Sequence, residues 1–259
     1  MNRTQQLARI LFATGIVSVG VLVLVYGYQV LLFLPAPPAW TVWLRPVGVA
    51  SGILMLGTGA GLLFERSAPA ATRILLPFLL LWTLTRVPVV IVDPIREISW
   101  FAIGEVGVLA AGALVLFATL EGASVRSGLK AFTIERGPAV ARVLLGLSVV
   151  TFGLSHFFEF HARTVSLVPH WLPYPTFWTA VMGGAQVAAG LGATLAIYPR
   201  LSAGAEAAML TVFAMLVWVP AVIAKPGLPS NWVEFLVTWA LAGACWVVAA
   251  GVAARAALD

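Results

Sequence analysis

The chain has 259 residues, 61% hydrophobic and only 10% charged, with a mean hydropathy of +1.01 and a net charge of +5. Soluble domains carry about 25% charged residues, so this composition excludes a water-covered globular domain. One cysteine, Cys245, excludes an internal disulfide, a dithiol pair or a cysteine-rich metal site.

A spanning helix needs roughly 20 mostly apolar residues. Residues 10–44, 46–64, 106–120, 143–158, 164–199, 207–224 and 235–254 contain no Lys, Arg, Asp or Glu. Two charges interrupt otherwise apolar runs, Arg86 within 74–92 and Glu105 near the start of 100–120. Together these segments predict eight transmembrane helices, at 8–31, 46–64, 73–92, 100–120, 139–160, 177–197, 205–224 and 232–254. They are apolar on every side, unlike the alternating segments of about ten residues in a β-barrel. The predicted class is therefore an all-α integral membrane protein. The first stretch opens with Arg3 and Arg9 and stays apolar past residue 30. A signal-peptide core runs 7–15 residues, so this stretch reads as an uncleaved first span.

Eight spans place both termini and the loops near 65–72, 121–138 and 198–204 on one side. Ten of the 15 Lys and Arg residues fall there, and Arg45, Arg86, Arg96, Arg163 and Lys225 fall on the other. Basic residues concentrate in cytoplasmic loops, so both termini are expected in the cytoplasm. Trp40, Trp43, Trp100, Trp171, Trp178 and Trp232 cluster at the opposite helix ends, at headgroup level. The positive charge therefore answers to anionic lipid. No basic run with interleaved aromatics suggests nucleic acid.

The chain also repeats itself. At a shift of about 131–133 residues, Ala8-Arg9-Ile10-Leu11 matches Ala141-Arg142-Val143-Leu144, and Gly20 falls on Gly153. Trp40 meets Trp171, Gly59 and Gly61 meet Gly190 and Gly192, Val87-Pro88 meets Val219-Pro220, Pro94 meets Pro226, and Trp100 meets Trp232. Four spans per half give both halves one orientation, so this is a parallel repeat rather than an inverted one. The expected organisation is a first repeat over 1–120, a polar hinge over 121–138, and a second repeat over 139–259. Gly52, Gly57, Gly59 and Gly61, with Gly183, Gly184, Gly190 and Gly192, line the second helix of each half with the small residues that close packing in lipid requires. Pro88 and Pro220 are expected to kink the third helix of each half.

The second half carries the more distinctive wording: Ala-Arg-Val-Leu-Leu-Gly-Leu-Ser from residue 141, Gly-Leu-Ser-His-Phe over 153–157, Val-Pro-His-Trp-Leu-Pro over 168–173, Phe177-Trp178, and a Gly-rich helix ending in Pro199-Arg200. It resembles the DoxX family of bacterial membrane proteins, typically single four-helix units, over residues 141 to about 250. The first half joins the resemblance through the internal repeat. The resemblance implies a bacterial inner-membrane location and a link to quinone-coupled sulfur oxidation, thiol homeostasis or maturation of membrane complexes. The duplication departs from the usual family form. The halves also differ, with Val23, Tyr26 and Tyr28 standing opposite His156, Glu159 and His161.

The densest polar group is His156, Glu159, His161 and Arg163 at the outer end of the fifth helix. Spacing puts His156 and Glu159 on one face and lets Glu159 pair with Arg163. Polar groups at membrane depth face a bundle interior or a cavity, which reads as a proton-handling or ligand-binding site. A polar helix end emerging into headgroups is the plainer reading. Arg86, beside Pro88, has the apolar Trp218 as repeat partner and needs an acid; Glu105 at similar depth predicts an intramembrane ion pair. Glu234 lies at comparable depth in the second half and is placed to pair with Arg163 or His156. Gln186 reads as an interhelical hydrogen-bond donor. Together His156, Glu159, His161, Trp171 and Glu234 form the expected ligand-binding set, opening to the outer leaflet.

All three histidines fall between 156 and 170, which argues against haem held from facing directions. There is no phosphate-binding loop and no His-Glu-x-x-His zinc motif, so neither a metal site nor a covalently held cofactor is expected. A redox role would rely on quinone or on a membrane or periplasmic partner protein. The expected function is an accessory or quinone-interacting subunit of a redox-linked membrane system. A small-solute carrier or channel, and a non-catalytic scaffold using the loops at 32–45 and 161–176, are the alternatives.

Overall fold

The computed structural model describes residues 1–27, 41–121 and 128–255, with side chains for 1–27, 45–121 and 133–253. All regular structure among these residues is helical: α1 Arg3–Tyr26, α2 Thr41–Leu63, α3 Ala68–Val92, α4 Glu97–Glu121, α5 Gly128–Ser155, α6 His161–Leu167, α7 Pro175–Thr194, α8 Pro199–Phe213, a π-helical turn Ala214–Trp218, α9 Val219–Ala224 and α10 Pro229–Arg255. The chain beyond Gly27 that carries Tyr28, Trp40 and the outer loop, and the side chains of Trp43 and of Lys130, lie outside the described residues, as does Arg126.

Local chemistry sets the helix boundaries. Asn2 and Gln5 form a reciprocal capping box at the start of α1, and Gly27, at φ 87°, ends it. Prolines open α7, α8 and α10, where the missing amide hydrogen is not needed. α3 continues unbroken through Pro77 and Pro88 to Val92. In the second half the run is instead interrupted by the π-helical turn immediately before Val219-Pro220. A π turn within an α-helical run widens the backbone and often marks a functional site.

Seven helical stretches among the described residues are long and apolar enough to cross a membrane: Arg3–Tyr26, Arg45–Leu63, Ala68–Val92, Glu97–Glu121, Thr133–Ser155, Pro199–Ala224 and Pro229–Ala253. The segment expected to be the sixth span forms α7, yet it is not one of the seven. Gly183, Gly184, Gly190, Gly192 and Gln186 dilute its apolar character. Two further boundaries differ from expectation. The fifth helix stops at Ser155, so His156, Glu159 and Phe160 sit in a tight connection and His161 opens the separate short helix α6. The polar stretch expected as a hinge is helical from Gly128, because it winds into α5.

The helices pack in a regular order. α1 packs on α2, α2 on α3 and α3 on α4; in the second half α5 packs on α7, α7 on α8 and α8 on α10. α1 also packs on α10, α5 on α4, and α4 on α10. α4 is the most enclosed span, 83% buried in the bundle against 22% for α3, so α4 and α10 form the spine and α3 the rim.

Glycine makes the closest crossings possible. A Cβ on Gly20 would lie 2.9 Å from the Gly52 carbonyl oxygen, and one on Gly153 would lie 2.7 Å from that of Gly183. Gly59 meets the Val17 backbone nitrogen at 2.7 Å, and Gly190 meets that of Val150 at 2.7 Å. At the spine, Gly112 would place a Cβ 2.9 Å from the Ala244 Cα. The outer turns match as well. Trp100 Nε1 donates to the Pro94 carbonyl at 2.8 Å and Trp232 Nε1 to the Pro226 carbonyl at 2.9 Å. The preceding helices end in the same backbone geometry, φ −135°, ψ 72° at Asp93 and φ −140°, ψ 70° at Lys225.

Candidate functional site

A cavity of about 520 Å³ opens among α4, α5, α6, α7, the α8–α9 run and α10. Ligand sites span about 300–1,000 Å³ and combine mostly apolar walls with a few placed polar groups. Its walls include Phe101, Phe152, Phe213, Trp178 and Trp218, and the polar residues Glu105, His156, Arg163, Thr179, Gln186 and Glu234.

The polar groups are held in place by the helices packed around them. The close approach of Gly153 on α5 to Gly183 on α7 brings a Gly183 Cβ position within 2.6 Å of the His156 Cβ, so this crossing fixes where the imidazole emerges. His156 Nδ1 lies 3.0 Å from the Phe152 carbonyl oxygen. That oxygen only accepts, so Nδ1 carries the proton and Nε2 is the nitrogen left for another partner. Glu105 follows Gly104, which packs against Thr151 and Phe152 of α5; the residue is only 7% exposed, and its Oε2 has no hydrogen-bond partner among the described residues. Glu105 lies within electrostatic range of both Arg86 and Glu234. Arg86 is itself buried, with its guanidinium 6.0 Å from the centre of the Trp82 ring.

The outer polar cluster divides in two. Arg163 on α6 hydrogen-bonds Glu234 on α10, and both line the cavity. Glu159 turns away from it and pairs with Arg96 of the α3–α4 connection, while Glu97 accepts a hydrogen bond from the Glu159 backbone amide at 2.7 Å. The Glu159–Arg163 pair expected from a continuous helix does not form, because the chain leaves α-helical geometry after Ser155. His161 is also off the cavity wall, with its Nδ1 2.6 Å from the His156 carbonyl oxygen. Of the five residues expected to bind ligand, His156, Trp171 and Glu234 line the cavity and Glu159 and His161 do not. Glu159 lies outside the spans, where the Arg96 guanidinium holds its carboxyl below the usual carboxylate range.

Sequence reasoning passed over Glu206. It is 1% exposed on α8 and accepts a 3.0 Å hydrogen bond from Gln186 Nε2, forming a buried link behind the cavity wall. Its only sequence signal is a carboxylate one residue before the apolar run at 207–224. The π-helical turn, which brings Leu216, Val217 and Trp218 onto the wall, carries no composition signal beyond the following Pro220.

No protein-family model, curated protein or solved structure matches this chain.

Proposed function

We propose that this chain is a multi-pass inner-membrane protein of eight spans, built as two parallel four-helix repeats, and that its second half binds a lipid-soluble ligand of quinone type for a redox-linked partner. The observation that carries the reading is the aromatic-walled cavity with Glu105, His156 and the Arg163–Glu234 pair at its rim and wall. An amphipathic ring on an apolar tail suits such a space, with the ring against Phe and Trp side chains and its oxygens at the polar groups. The resemblance to the DoxX family points the same way.

The repeat reading is supported by the paired helix crossings, the paired tryptophan-to-carbonyl bonds and the matching helix ends at Asp93 and Lys225. Gly112 and Ala244, equivalent at a shift of 132, touch each other, as residues on a pseudo-twofold axis would. α7 completes four helices in the second half. It packs against α5 and α8, so helix partners supply the burial that its modest apolarity does not demand from lipid. The bias of Arg and Lys toward one side supports cytoplasmic termini.

Solvent extraction of protein purified from native membranes tests the ligand. A quinone recovered in near-stoichiometric amount from the wild type, and strongly depleted in Trp218→Ala, is the expected result. Retention of bulk phospholipid alone would refute it.

A further inference from the structure

The polar groups at this cavity differ in what they have left to offer. Arg163 donates to Glu234 and the Gln186 amide nitrogen to Glu206, while the Thr179 hydroxyl has no partner among the described residues and can accept as well as donate. Two smaller donors are also turned inward, Ser155 Oγ to the Phe152 carbonyl and Thr164 Oγ1 to the His161 carbonyl. Two acceptors, on Glu105 and His156, are not committed. Glu105 accepts no hydrogen bond among the described residues, although it is 93% buried on the 7% exposure above. His156 presents Nε2, which accepts when the imidazole is neutral. Glu159 is held by Arg96 and Glu234 by Arg163, so neither is free to hold an imidazolium. Burying an acceptor without a donor is costly, and more so for a charged group. A ligand that brings donors relieves that cost, whereas a ligand bearing only carbonyls does not.

We infer that the cavity selects a hydroxyl-bearing lipid-soluble ligand, a hydroquinone or long-chain phenol, with Glu105 and His156 as the acceptors of its hydroxyl hydrogens. This rests on the cavity being a ligand site, and within the quinone reading it assigns the reduced form as the species bound. Glu105 comes from the spine helix α4 and His156 from the connection after α5, so the site draws on both halves of the chain.

The test uses the full-length protein in lipid nanodiscs without oxygen, followed by tryptophan fluorescence and calorimetry. The probes are a decyl-benzohydroquinone, its dimethyl ether, its oxidised quinone and a long-chain phenol. A net hydrogen bond is worth about 0.5–1.5 kcal/mol, so with two of them the hydroquinone should bind about fivefold or more tighter than its dimethyl ether. The phenol should fall between them if two donors are used and match the hydroquinone if one suffices. Glu105→Leu and His156→Phe should each shrink the preference, while His156→Gln, which keeps an acceptor, should restore most of it. If Glu105→Leu fails to fold, the two His156 variants decide the matter. Equal binding of hydroquinone and dimethyl ether would overturn this inference and leave the cavity a ligand site. Binding of no probe, with no quinone in the native extract, would remove both readings.

Discussion

The crossing of α5 and α7 offers the most direct test of how the cavity is held. Replacing Gly153 with alanine puts a Cβ 2.7 Å from the Gly183 carbonyl oxygen and 2.7 Å from the Val187 amide nitrogen. Real Cβ contacts essentially never fall below 3.0 Å, and both neighbours are backbone, so the helices themselves must part. Overpacking of this kind costs about 1–3 kcal/mol, offset by up to about 1 kcal/mol from the better helix propensity of alanine. Gly184→Ala, one residue along from the contact on α7, meets nothing within 4 Å, so only the propensity gain of up to about 1 kcal/mol applies. The two variants should therefore differ by about 1–3 kcal/mol in equilibrium unfolding by SDS from mixed micelles. Gly20→Ala and Gly57→Ala make the same comparison in the first half, where Gly20 meets the Leu56 amide nitrogen at 2.7 Å and Gly57 meets nothing within 4 Å. Gly153→Ala should also loosen ligand binding, because the crossing sets the His156 position. Equal stability of Gly153→Ala and Gly184→Ala would refute the idea that close glycine crossings hold the bundle.

Two further outcomes are expected. The Arg96–Glu159 pair joins the α3–α4 connection to the α5–α6 connection, and Glu159 titrates below its ordinary value of 4.5; its contribution is complete above that value and is lost as pH falls through the depressed one. Arg96→Ala should therefore move the Glu159 carboxyl titration, followed by carbon NMR in micelles, upward toward 4.5, and an unchanged titration would show the pair is absent in solution. In the buried Gln186–Glu206 link, Gln186→Leu and Glu206→Leu should each destabilise, and the double variant should cost less than their sum by about 0.5–3 kcal/mol; strict additivity would show that they do not interact.

Much of the fold is legible along the chain because lipid imposes a simple rule: an apolar run of sufficient length becomes a helix that meets its own backbone hydrogen bonds. The glycines could be assigned to packing for the same reason, since hydrocarbon offers little other attraction between helices. The end of the fifth helix was not legible. Residues 156–160 stay aromatic and apolar around a single Glu159, with no proline or glycine to announce a break. What ends the helix there comes from elsewhere: Arg96 and Glu97, more than 60 residues away, take the Glu159 side chain and amide. Arg163 had two acids in prospect and took Glu234, 71 residues distant, because that break removed Glu159 from its helix. Glu206 and Gln186 are joined across two helices, and a helix pair is what a one-dimensional pattern expresses least.

In the proposed repeat, the polar residues at the cavity stand opposite apolar ones. At the shifts that align the halves, His156 stands opposite Val23, Gln186 opposite Met55, Glu206 opposite Ile74 and Glu234 opposite Ala102, while Glu105 in the first half stands opposite Val237. Val23, Met55 and Ala102 are buried at 1%, 0% and 1% exposure, so these places in the scaffold pack well with apolar side chains. Polar groups at membrane depth are expensive, and nothing in the shared packing asks for them. Glu105, His156, Gln186 and Glu234 line one cavity, and Glu206 sits behind its wall on Gln186. A repeated scaffold that needed polar residues for its own stability would place them at equivalent positions in both halves. In the proposed repeat, the counterparts of the cavity residues are apolar, which separates the chemistry of the cavity from the packing the two halves share.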